Sequence, residues 1–153
     1  MNPCFIADVH LGKLAKALRL LGFDTFYHTT STPGTLLRIA AEENRILLSR
    51  GLEITKHAAT SLRIESEDVA IQLQQVLLQF GLKKSIQPFT RCLVCNGLLN
   101  VVSKEQIASR LQPDTYRYFA EFWECAQCEN IYWKGSHYER MRSFLNEIDL
   151  FIT

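Results

Sequence analysis

Two Cys-x-x-Cys pairs, Cys92/Cys95 and Cys125/Cys128, constrain the fold of this chain more than any other feature of its sequence. Each pair can present two thiolates from one tight turn, and four thiolates are the ligands of a tetrahedral structural zinc ion. Gly97, just after the first pair, suits such a turn because glycine tolerates positive φ. The pattern predicts a four-cysteine zinc site, and the alternatives are two disulfides or a redox dithiol.

Composition narrows the class of protein. The chain has 153 residues, of which 47% are hydrophobic and 22% charged, as in soluble globular proteins. A net charge of +1 gives no global electrostatic argument for nucleic acid, so an RNA site must rest on a local patch. No apolar run approaches the roughly 18 residues of a membrane span, so no membrane partner is expected. The absence of a signal-peptide pattern and of any sign of an oxidising compartment favours a cytoplasmic location.

Short apolar runs alternate with helical patterns in the first half of the chain. Strands are predicted at residues 4–9, 25–28, 45–49 and 61–64, and helices at 11–21, 35–44, 52–59 and 67–80. This alternation predicts an α/β domain with a parallel sheet covered by helices on both faces. We expect this domain to span residues 1–84. A zinc-ribbon domain that ends in a helix at about 137–148 should span residues 85–153.

Acidic residues near the predicted strand ends are candidates for a catalytic site, because ligands bind parallel sheets at the carboxyl ends of their strands. Asp8 ends the first strand and is the best candidate metal ligand. Its alternative role is the N-cap of the helix that follows. A single carboxylate cannot hold Mg²⁺ for phosphodiester hydrolysis, so further acids must converge on it. The other acids near predicted strand ends are Glu53, Glu65, Glu67 and Asp68, and each of them can instead be a solvated surface charge.

Basic residues of the first domain suggest a path for a nucleic-acid backbone. Lys13, Lys16 and Arg19 follow one another at a spacing of three on the first predicted helix, opposite its leucines. They form either a solvated face or a row of phosphate contacts beside the first strand. Arg50 directly follows a buried strand and should therefore lie at the carboxyl edge of the sheet.

The remaining candidates are aromatic residues and histidines. Trp133, Lys134 and His137 follow the second cysteine pair and can offer stacking and phosphate contacts to single-stranded nucleic acid. They can equally pack around the zinc ion, and His137 can compete as a ligand of it. His10 and His57 can bind metal or transfer protons, or can be ordinary polar loop residues.

Several motifs occur together and in order along nearly the whole chain. They are residues 8–25 (DVHLGKLAKALRLLGFDT), 45–50 (RILLSR), 91–97 (RCLVCNG), and the second cysteine pair leading to residues 132–137 (YWKGSH). In these motifs the chain resembles the Mut-seven C-terminal RNase family. The resemblance implies a PIN-like nuclease fold fused to a zinc ribbon, RNA as substrate, and Mg²⁺ or Mn²⁺ at an acidic site.

Two positions depart from the family pattern. Residues 49–51 read Ser-Arg-Gly where the family usually has Thr-Arg-Asp, and residues 33–35 contain no acid where an aspartate is common. Of the family's acidic cluster only Asp8 is plainly in place, with Asp68 or Glu67 as a late member and Glu53 as a substitute. Fewer carboxylates should weaken the binding of a hard divalent cation.

Two functions follow from these observations. The first is a metal-dependent ribonuclease in which Mg²⁺ or Mn²⁺ is held by Asp8 with one or two of Glu53, Glu67 and Asp68, and the strand is positioned by Lys13, Lys16 and Arg50. The second is a catalytically impaired RNA-binding protein that keeps the nuclease fold and the zinc ribbon. The sequence alone leaves both open.

Overall fold

A computed structural model describes residues 2–152 of the chain, with side chains to residue 147. Its first half is a four-stranded parallel sheet in the order β2-β1-β3-β4. The strands are β1 (Phe5–Ala7), β2 (Thr25–Phe26), β3 (Ile46–Ser49) and β4 (Ser61–Arg63). The helices are α1 (Gly12–Leu20), α2 (Pro33–Glu42), α3 (Leu52–Lys56) and α4 (Val69–Gln79). The predicted α/β class and the order of its elements are confirmed.

Helices cover both faces of this sheet, as the apolar sequences of its central strands require. On one face, α1 and α4 bury a large core that includes Phe5, Leu18 and Leu73. On the other face, α2 packs Leu36 against Ile6 and Leu47. The two central strands, β1 and β3, therefore contribute side chains to both cores, and their carboxyl ends are held rigidly at one edge.

The helix boundaries follow from local capping chemistry. Helix α2 begins at Pro33, because the Thr32 hydroxyl accepts a hydrogen bond from the backbone N–H of Thr35, and proline is favoured in the first turn. The sequence placed this start two residues later. Gly22 follows α1 with φ +93°, which confirms it as the glycine that ends this helix.

The second half is a three-stranded antiparallel sheet in the order β5-β6-β7. Its strands are β5 (Leu99–Val102), β6 (Phe122–Cys125) and β7 (Ile131–Trp133), and two short helices, α5 (Lys104–Ile107) and α6 (Pro113–Tyr118), lie between β5 and β6. The final helix, α7 (Ser136–Ile152), contacts α4.

The C-terminal helix links the two halves. Phe144 and Leu145 of α7 pack against the core that α1 and α4 share. The domain boundary between residues 84 and 85 stays a prediction. In the structure, α7 packs on the core of the first half although it follows the second sheet in the chain. Within residues 2–152, no helix is both long and apolar enough to cross a membrane.

Candidate functional site

An open cleft of about 760 Å³ lies at the carboxyl edge of the parallel sheet. Its walls come from the ends of β1 and β3, the start of α2 and the short helix α3. The residues that line it are Asp8, Val9, His10, Ser31, Pro33, Leu36, Leu37, Ser49, Arg50, Gly51, Leu52, Glu53, Ile54 and His57. This is the edge at which ligands bind parallel α/β sheets, and it is where Asp8 and Arg50 were predicted to meet.

Asp8 is the buried acid of the cleft, with 8% of its surface exposed. Its Oδ2 accepts a hydrogen bond of 2.5 Å from the hydroxyl of Ser49, which ends the neighbouring strand β3. Its Oδ1 accepts a bond of 2.8 Å from the backbone N–H of His10, which caps the short 3₁₀ turn Val9–Leu11. The alternative capping role of Asp8 is thus observed, and the same bonds fix its carboxylate at the cleft.

The other predicted acids are spread over different places. Glu53 lines the cleft but is exposed, and its carboxylate lies 3.2 Å from the ammonium of Lys56. Asp68 lies outside the cleft lining and caps α4, accepting hydrogen bonds from the backbone N–H groups of Ala70 and Ile71. The structure therefore brings Asp8 and Glu53 to one cleft and places Asp68 at the start of a helix.

The two positions without the family acids both lie in the cleft wall. Gly51 and Pro33 both line it, together with Asp8. Within the described part of the chain, the four cysteines are the one group of three or more His, Cys, Asp or Glu residues close enough to hold a metal ion. Among the described residues, the acids of the cleft therefore do not form a carboxylate cage around Asp8.

Among the basic candidates, Lys13, Lys16 and Arg50 are exposed as expected. Arg50 lines the cleft, and its Nη2 lies 3.5 Å from Glu67 Oε1, so this cation is already partly neutralised by a surface ion pair. Lys13 and Lys16 point from the exposed face of α1. These three residues remain predicted RNA contacts.

The exposed position expected for Arg19 is wrong. This residue is 5% exposed, and its guanidinium donates hydrogen bonds to the backbone carbonyls of Thr25, Leu93 and Val94. A spacing of three drifts around a helix of 3.6 residues per turn, and it carries position 19 onto the face that the first cysteine turn covers. Burial lowers the pKa of Arg19, and the nearby thiol of Cys92 acts in the opposite direction.

His10 and His57, the two histidines of the first domain that the sequence analysis considered for metal binding or proton transfer, both line the cleft. His10 is on the loop after β1, and its Nδ1 lies 3.3 Å from Asp8 Oδ1. His57 ends α3 on the opposite wall and is exposed. In sequence these residues resembled ordinary loop histidines. The signal that could have marked them is their place directly after β1 and α3, on the ligand side of the sheet.

The four paired cysteines meet in space, as the sequence predicted. Their Sγ atoms all lie within 4.8 Å of one another, with 3.6 Å between those of Cys92 and Cys128 and 3.3 Å between those of Cys95 and Cys125. A tetrahedral zinc with bonds of about 2.3 Å separates its sulfur ligands by about 3.8 Å. The cluster therefore can hold a metal ion such as zinc.

Each cysteine pair closes in the same backbone turn. The residue after the second cysteine has positive φ in both turns, +73° at Asn96 and +64° at Glu129. The expectation that Gly97 supplies positive φ is wrong. Gly97 is needed for space instead, since a Cβ there would lie 2.8 Å from the Sγ of Cys125.

Backbone hydrogen bonds favour the thiolate form of one of these cysteines, Cys125. Burial raises the pKa of the Cys125 thiol, but the backbone N–H groups of Cys128 and Gln127 point at its Sγ and lower the pKa to about 7. The hydroxyl of Tyr132 lies 3.0 Å from the Sγ of Cys92 and accepts from the backbone N–H of Leu93. Such outer contacts orient metal ligands, and sequence reasoning did not find Tyr132.

The aromatic residues after the second pair divide between packing and exposure. Trp133 is half-buried, with its ring 6.2 Å from that of Phe122. Lys134 is exposed and lies over the ring of Tyr138. His137 is exposed at the start of α7, and it is not among the residues that form the cysteine cluster.

The sequence missed a polar interface between the parallel sheet and the cysteine turns. Asp24 accepts hydrogen bonds from Arg45 at 2.8 Å and from Asn96 at 2.7 Å, and Arg91 Nη2 lies 4.0 Å away. Burial raises the pKa of Asp24, but the hydrogen bonds from Arg45 and Asn96 outweigh it and hold the pKa below its ordinary value. Asp24 and Asn96 both fall inside motifs that carry the family resemblance, which was the available signal.

Comparison with known proteins gives one match. The family model described as Mut7-C RNAse domain matches residues 3–145, which spans both the parallel sheet and the four-cysteine cluster. The family resemblance of the sequence motifs is thereby confirmed. No curated protein and no solved structure matches the chain.

Proposed function

Because the chain belongs to the Mut7-C RNAse domain family, we propose that it is a ribonuclease that cleaves RNA phosphodiester bonds in the cleft around Asp8. The observation that carries this proposal is the Asp8 carboxylate itself. It is buried at the carboxyl edge of the sheet, and Ser49 fixes its orientation from the next strand. A carboxylate held by these bonds at an open cleft is suited to hold a cation, and Arg50 in the same lining offers a positive charge to a reacting phosphate.

The proposal includes a PIN-like nuclease domain at residues 1–84 and a catalytic Mg²⁺ or Mn²⁺ ion. Asp8 would hold this ion, and Glu53 is the other acid in the lining of the cleft. Asp68 would join only if its carboxylate left the cap of α4. A divalent ion bound there supplies activation of water and compensation of charge on the phosphate.

RNA would approach over the exposed basic residues. Lys13, Lys16 and Arg50 would contact the phosphate backbone, and Lys134 and His137 would extend this contact at the ribbon. Trp133 is half-buried, so it would offer a ring edge rather than a full stacking face. Arg19 is not proposed as an RNA contact, because its guanidinium is buried and donates its hydrogen bonds to backbone carbonyls.

The ribbon, residues 85–153, would bind zinc as a structural ion. Four-thiolate sites need reduced cysteines, and all five cysteines of the chain are free thiols here. A cytoplasmic location belongs to the same proposal. The ion would hold the cysteine turns that contact Arg19 and Asp24.

A second candidate function is RNA binding without cleavage. One observation favours it: Gly51 and residues 33–35 place no carboxylate in the cleft wall, so Asp8 lacks the partners of an acidic cluster. Since affinity for hard divalent cations depends on the number of charged ligands, catalysis could be lost while the basic surface is kept.

Cleavage of labelled single-stranded and structured RNA distinguishes the two functions. The reactions should contain Mg²⁺, Mn²⁺ or EDTA, and compare the natural chain with Asp8→Asn and with Asp114→Asn, a matched change of an exposed acid on α6. We expect metal-dependent cleavage that only Asp8→Asn abolishes, while RNA binding survives in both variants. Cleavage that Asp8→Asn leaves unchanged would refute the proposed site. No cleavage, with binding that weakens as salt rises, would establish the second function.

A further inference from the structure

Arg19 is a buried cation for which the proposed ribonuclease has no use. It is 5% exposed, and its guanidinium donates hydrogen bonds to the backbone carbonyls of three residues, Thr25, Leu93 and Val94. Carbonyl oxygens satisfy the N–H donors of a guanidinium, but they carry no net charge. Burial of a charge is costly unless an opposite charge compensates it. The buried charge of Arg19 therefore requires a negative group close to it.

The first cysteine turn brings sulfur atoms close to this charge. Arg19 Nη1 lies 3.0 Å from the carbonyl oxygen of Leu93 and 3.3 Å from that of Val94. These are the two residues between the cysteines of the first pair, Cys92 and Cys95. The guanidinium thus contacts the backbone of the turn that presents two of the four sulfur ligands.

The neighbours that act on Arg19 electrostatically are the same cysteines. Burial lowers the pKa of Arg19, whereas the charges of Cys92, Cys95 and, less strongly, Asp24 raise it. The Asp24 carboxylate already accepts a hydrogen bond of 2.8 Å from Arg45, so its charge is largely compensated there. The thiolates of the first pair are therefore the negative groups that suit Arg19.

A divalent ion bound to the cysteine cluster would make this compensation more important. Four thiolates around a divalent ion form a site that is net negative, because the charges of the sulfur atoms exceed that of the ion. The hydroxyl of Tyr132 lies 3.0 Å from the Sγ of Cys92, and two backbone N–H groups point at the Sγ of Cys125. All of these donors are neutral groups, whereas Arg19 brings a full positive charge.

We propose that Arg19 is the counter-ion of the four-cysteine metal site, a positive charge that helix α1 of the first half supplies to a site in the second half. Arg19 is a positioning residue, since it acts on the turn and the sulfur ligands and does not bind the metal. The inference rests on the proposed structural zinc and is independent of RNA cleavage. It also gives a reason why position 19 is a buried arginine on a helix whose other cations, Lys13 and Lys16, are exposed.

Cobalt in place of zinc reports on the charge around the sulfur atoms. Co²⁺ bound by thiolates absorbs in the near ultraviolet, because light transfers an electron from sulfur to the metal. A positive charge near the sulfur atoms holds their electrons more tightly and raises the energy of this transition. The reduced full chain should therefore be loaded with Co²⁺ to record the band. Competition with a chelator then gives its affinity for zinc.

Three substitutions of Arg19 separate its charge from its hydrogen bonds. Arg19→Met removes both, whereas Arg19→Gln removes the charge and keeps an N–H donor for the carbonyls of the turn. We expect the band to move to longer wavelength in both variants, and zinc affinity to fall by about tenfold to a hundredfold. Arg19→Lys keeps the charge, so it should keep the band at its natural position and retain most of the affinity.

Leu73→Ala is the control for loss of stability. Leu73 is fully buried in the core that α1 and α4 share, so its truncation weakens the fold around α1 without changing any charge. The sulfur-to-cobalt band should stay at its natural position in this variant. A band that shifts here as far as in Arg19→Met would show that packing alone moves it, and would overturn the inference.

The remaining outcomes also decide the matter. A natural band and natural zinc affinity in Arg19→Gln would overturn the counter-ion role. Weaker zinc binding in all three Arg19 variants with an unshifted band would overturn it too, because only the hydrogen bonds to the turn would then matter. If neither neutral variant folds, Arg19→Lys decides, since a natural band upholds the inference and loss of the band overturns it.

Failure of this inference is distinguishable from failure of the proposals on which it rests. A natural chain whose thiols bind neither zinc nor Co²⁺ would overturn the structural zinc and the counter-ion together. Bound metal with a band that does not depend on the charge at position 19 would overturn the counter-ion alone. RNA cleavage and its loss in Asp8→Asn are measured separately, so the ribonuclease proposal is unaffected by either result.

Discussion

The side-chain amide of Asn96 donates a hydrogen bond of 2.7 Å to Asp24 Oδ1, and its carbonyl accepts one of 3.0 Å from the backbone N–H of Thr25. Asn96 belongs to the first cysteine turn, whereas Asp24 and Thr25 lie at the start of β2, the edge strand of the parallel sheet. One side chain thus joins the first cysteine turn to the half of the chain that holds the parallel sheet. The two halves should respond together when either is perturbed.

Asn96→Ala should lower the free energy of unfolding by about 1–3 kcal/mol, because it leaves the N–H of the buried Thr25 without its partner and places alanine at φ +73°. Urea unfolding of the zinc-loaded protein measures this. Asn96→Gly is the matched comparison, since it loses the hydrogen bonds but tolerates the backbone conformation, and it should be destabilised less than Asn96→Ala. An alanine variant as stable as the natural chain would show that this contact is not structural.

Stability should fall in acid through Asp24. Its pKa in the folded protein lies below the ordinary value of about 3.9, because hydrogen bonds from Arg45 and Asn96 outweigh its burial. A depressed folded pKa contributes stability that is complete above the unfolded pKa and is lost as pH falls through the folded pKa. Unfolding measured between about pH 2 and 7 should show this loss, and Asp24→Asn should remove that part of the pH dependence. An identical acid profile in the variant would contradict it.

Gly51→Asp should strengthen metal binding in the cleft. Gly51 has φ −81° and ψ 130°, which any residue can adopt, and an added Cβ would meet Ile54 Cγ2 at 3.2 Å, a contact that a small shift relieves. A second carboxylate beside Asp8 raises the charge of the site, and Mg²⁺ affinity should rise on the order of tenfold. Isothermal titration with Mg²⁺ measures this, with Gly51→Asn as the uncharged control of equal size. Equal affinities in these two variants would count against the cleft as the metal site.

Lys13 and Lys16 should contribute to RNA affinity through charge alone. Both are exposed on α1. If each contacts one phosphate, its replacement by alanine should reduce the slope of log K against log salt by about 0.7 for single-stranded RNA. Fluorescence anisotropy at several salt concentrations gives the slopes. Lys104→Ala, in the ribbon helix α5, is a suitable comparison because its ammonium donates to the backbone carbonyl of Tyr116. Slopes that stay constant in the α1 variants would exclude this face from the RNA path.

Removal of zinc should affect β2 as well as the ribbon. Chelation frees the cysteine turns, so amides of β5, β6 and β7 should lose protection from hydrogen exchange. The Thr25 amide should lose protection too, because its acceptor belongs to Asn96. Exchange followed by mass spectrometry before and after chelation tests this, and α2 serves as an internal control on the far side of the sheet. An intact exchange pattern after complete chelation would refute a structural zinc.

The order of strands and helices could be predicted because it depends on the period of the apolar residues, which the sequence shows directly. The four cysteines could be predicted because their spacing reflects their chemistry. The exposure of Arg19 was predicted wrongly because the first cysteine turn covers a part of α1 that would otherwise face solvent, and helical periodicity contains no information about that contact. The role of Gly97 was predicted wrongly because glycine is required there by the Sγ of Cys125, an atom that is close in space and distant in sequence.

The arrangement of the cleft residues could likewise be predicted only in part from the sequence. Asp8 was identified from its place after β1, but its hydrogen bond to Ser49 depends on the pairing of β1 with β3. In the sequence, Asp68 and Glu53 were equally good candidates for metal ligands. Only the folded chain shows that Asp68 caps a helix while Glu53 lines the cleft. Their catalytic roles stay predictions.

Gly22 bears on how such proteins could have diversified. A Cβ at this position would lie 2.4 Å from the carbonyl oxygen of Gln87, where the chain passes from the parallel-sheet half toward the first cysteine turn. The backbone N–H of Gln87 in turn donates a hydrogen bond to the backbone carbonyl of Leu21. The segment that connects the two halves is therefore packed against the end of α1 and hydrogen-bonded to it. Recombination that exchanged one ribbon for another at residue 85 would succeed only if Gly22 and Asp24 in the recipient suited the incoming turn. The two halves should consequently have been inherited as one unit.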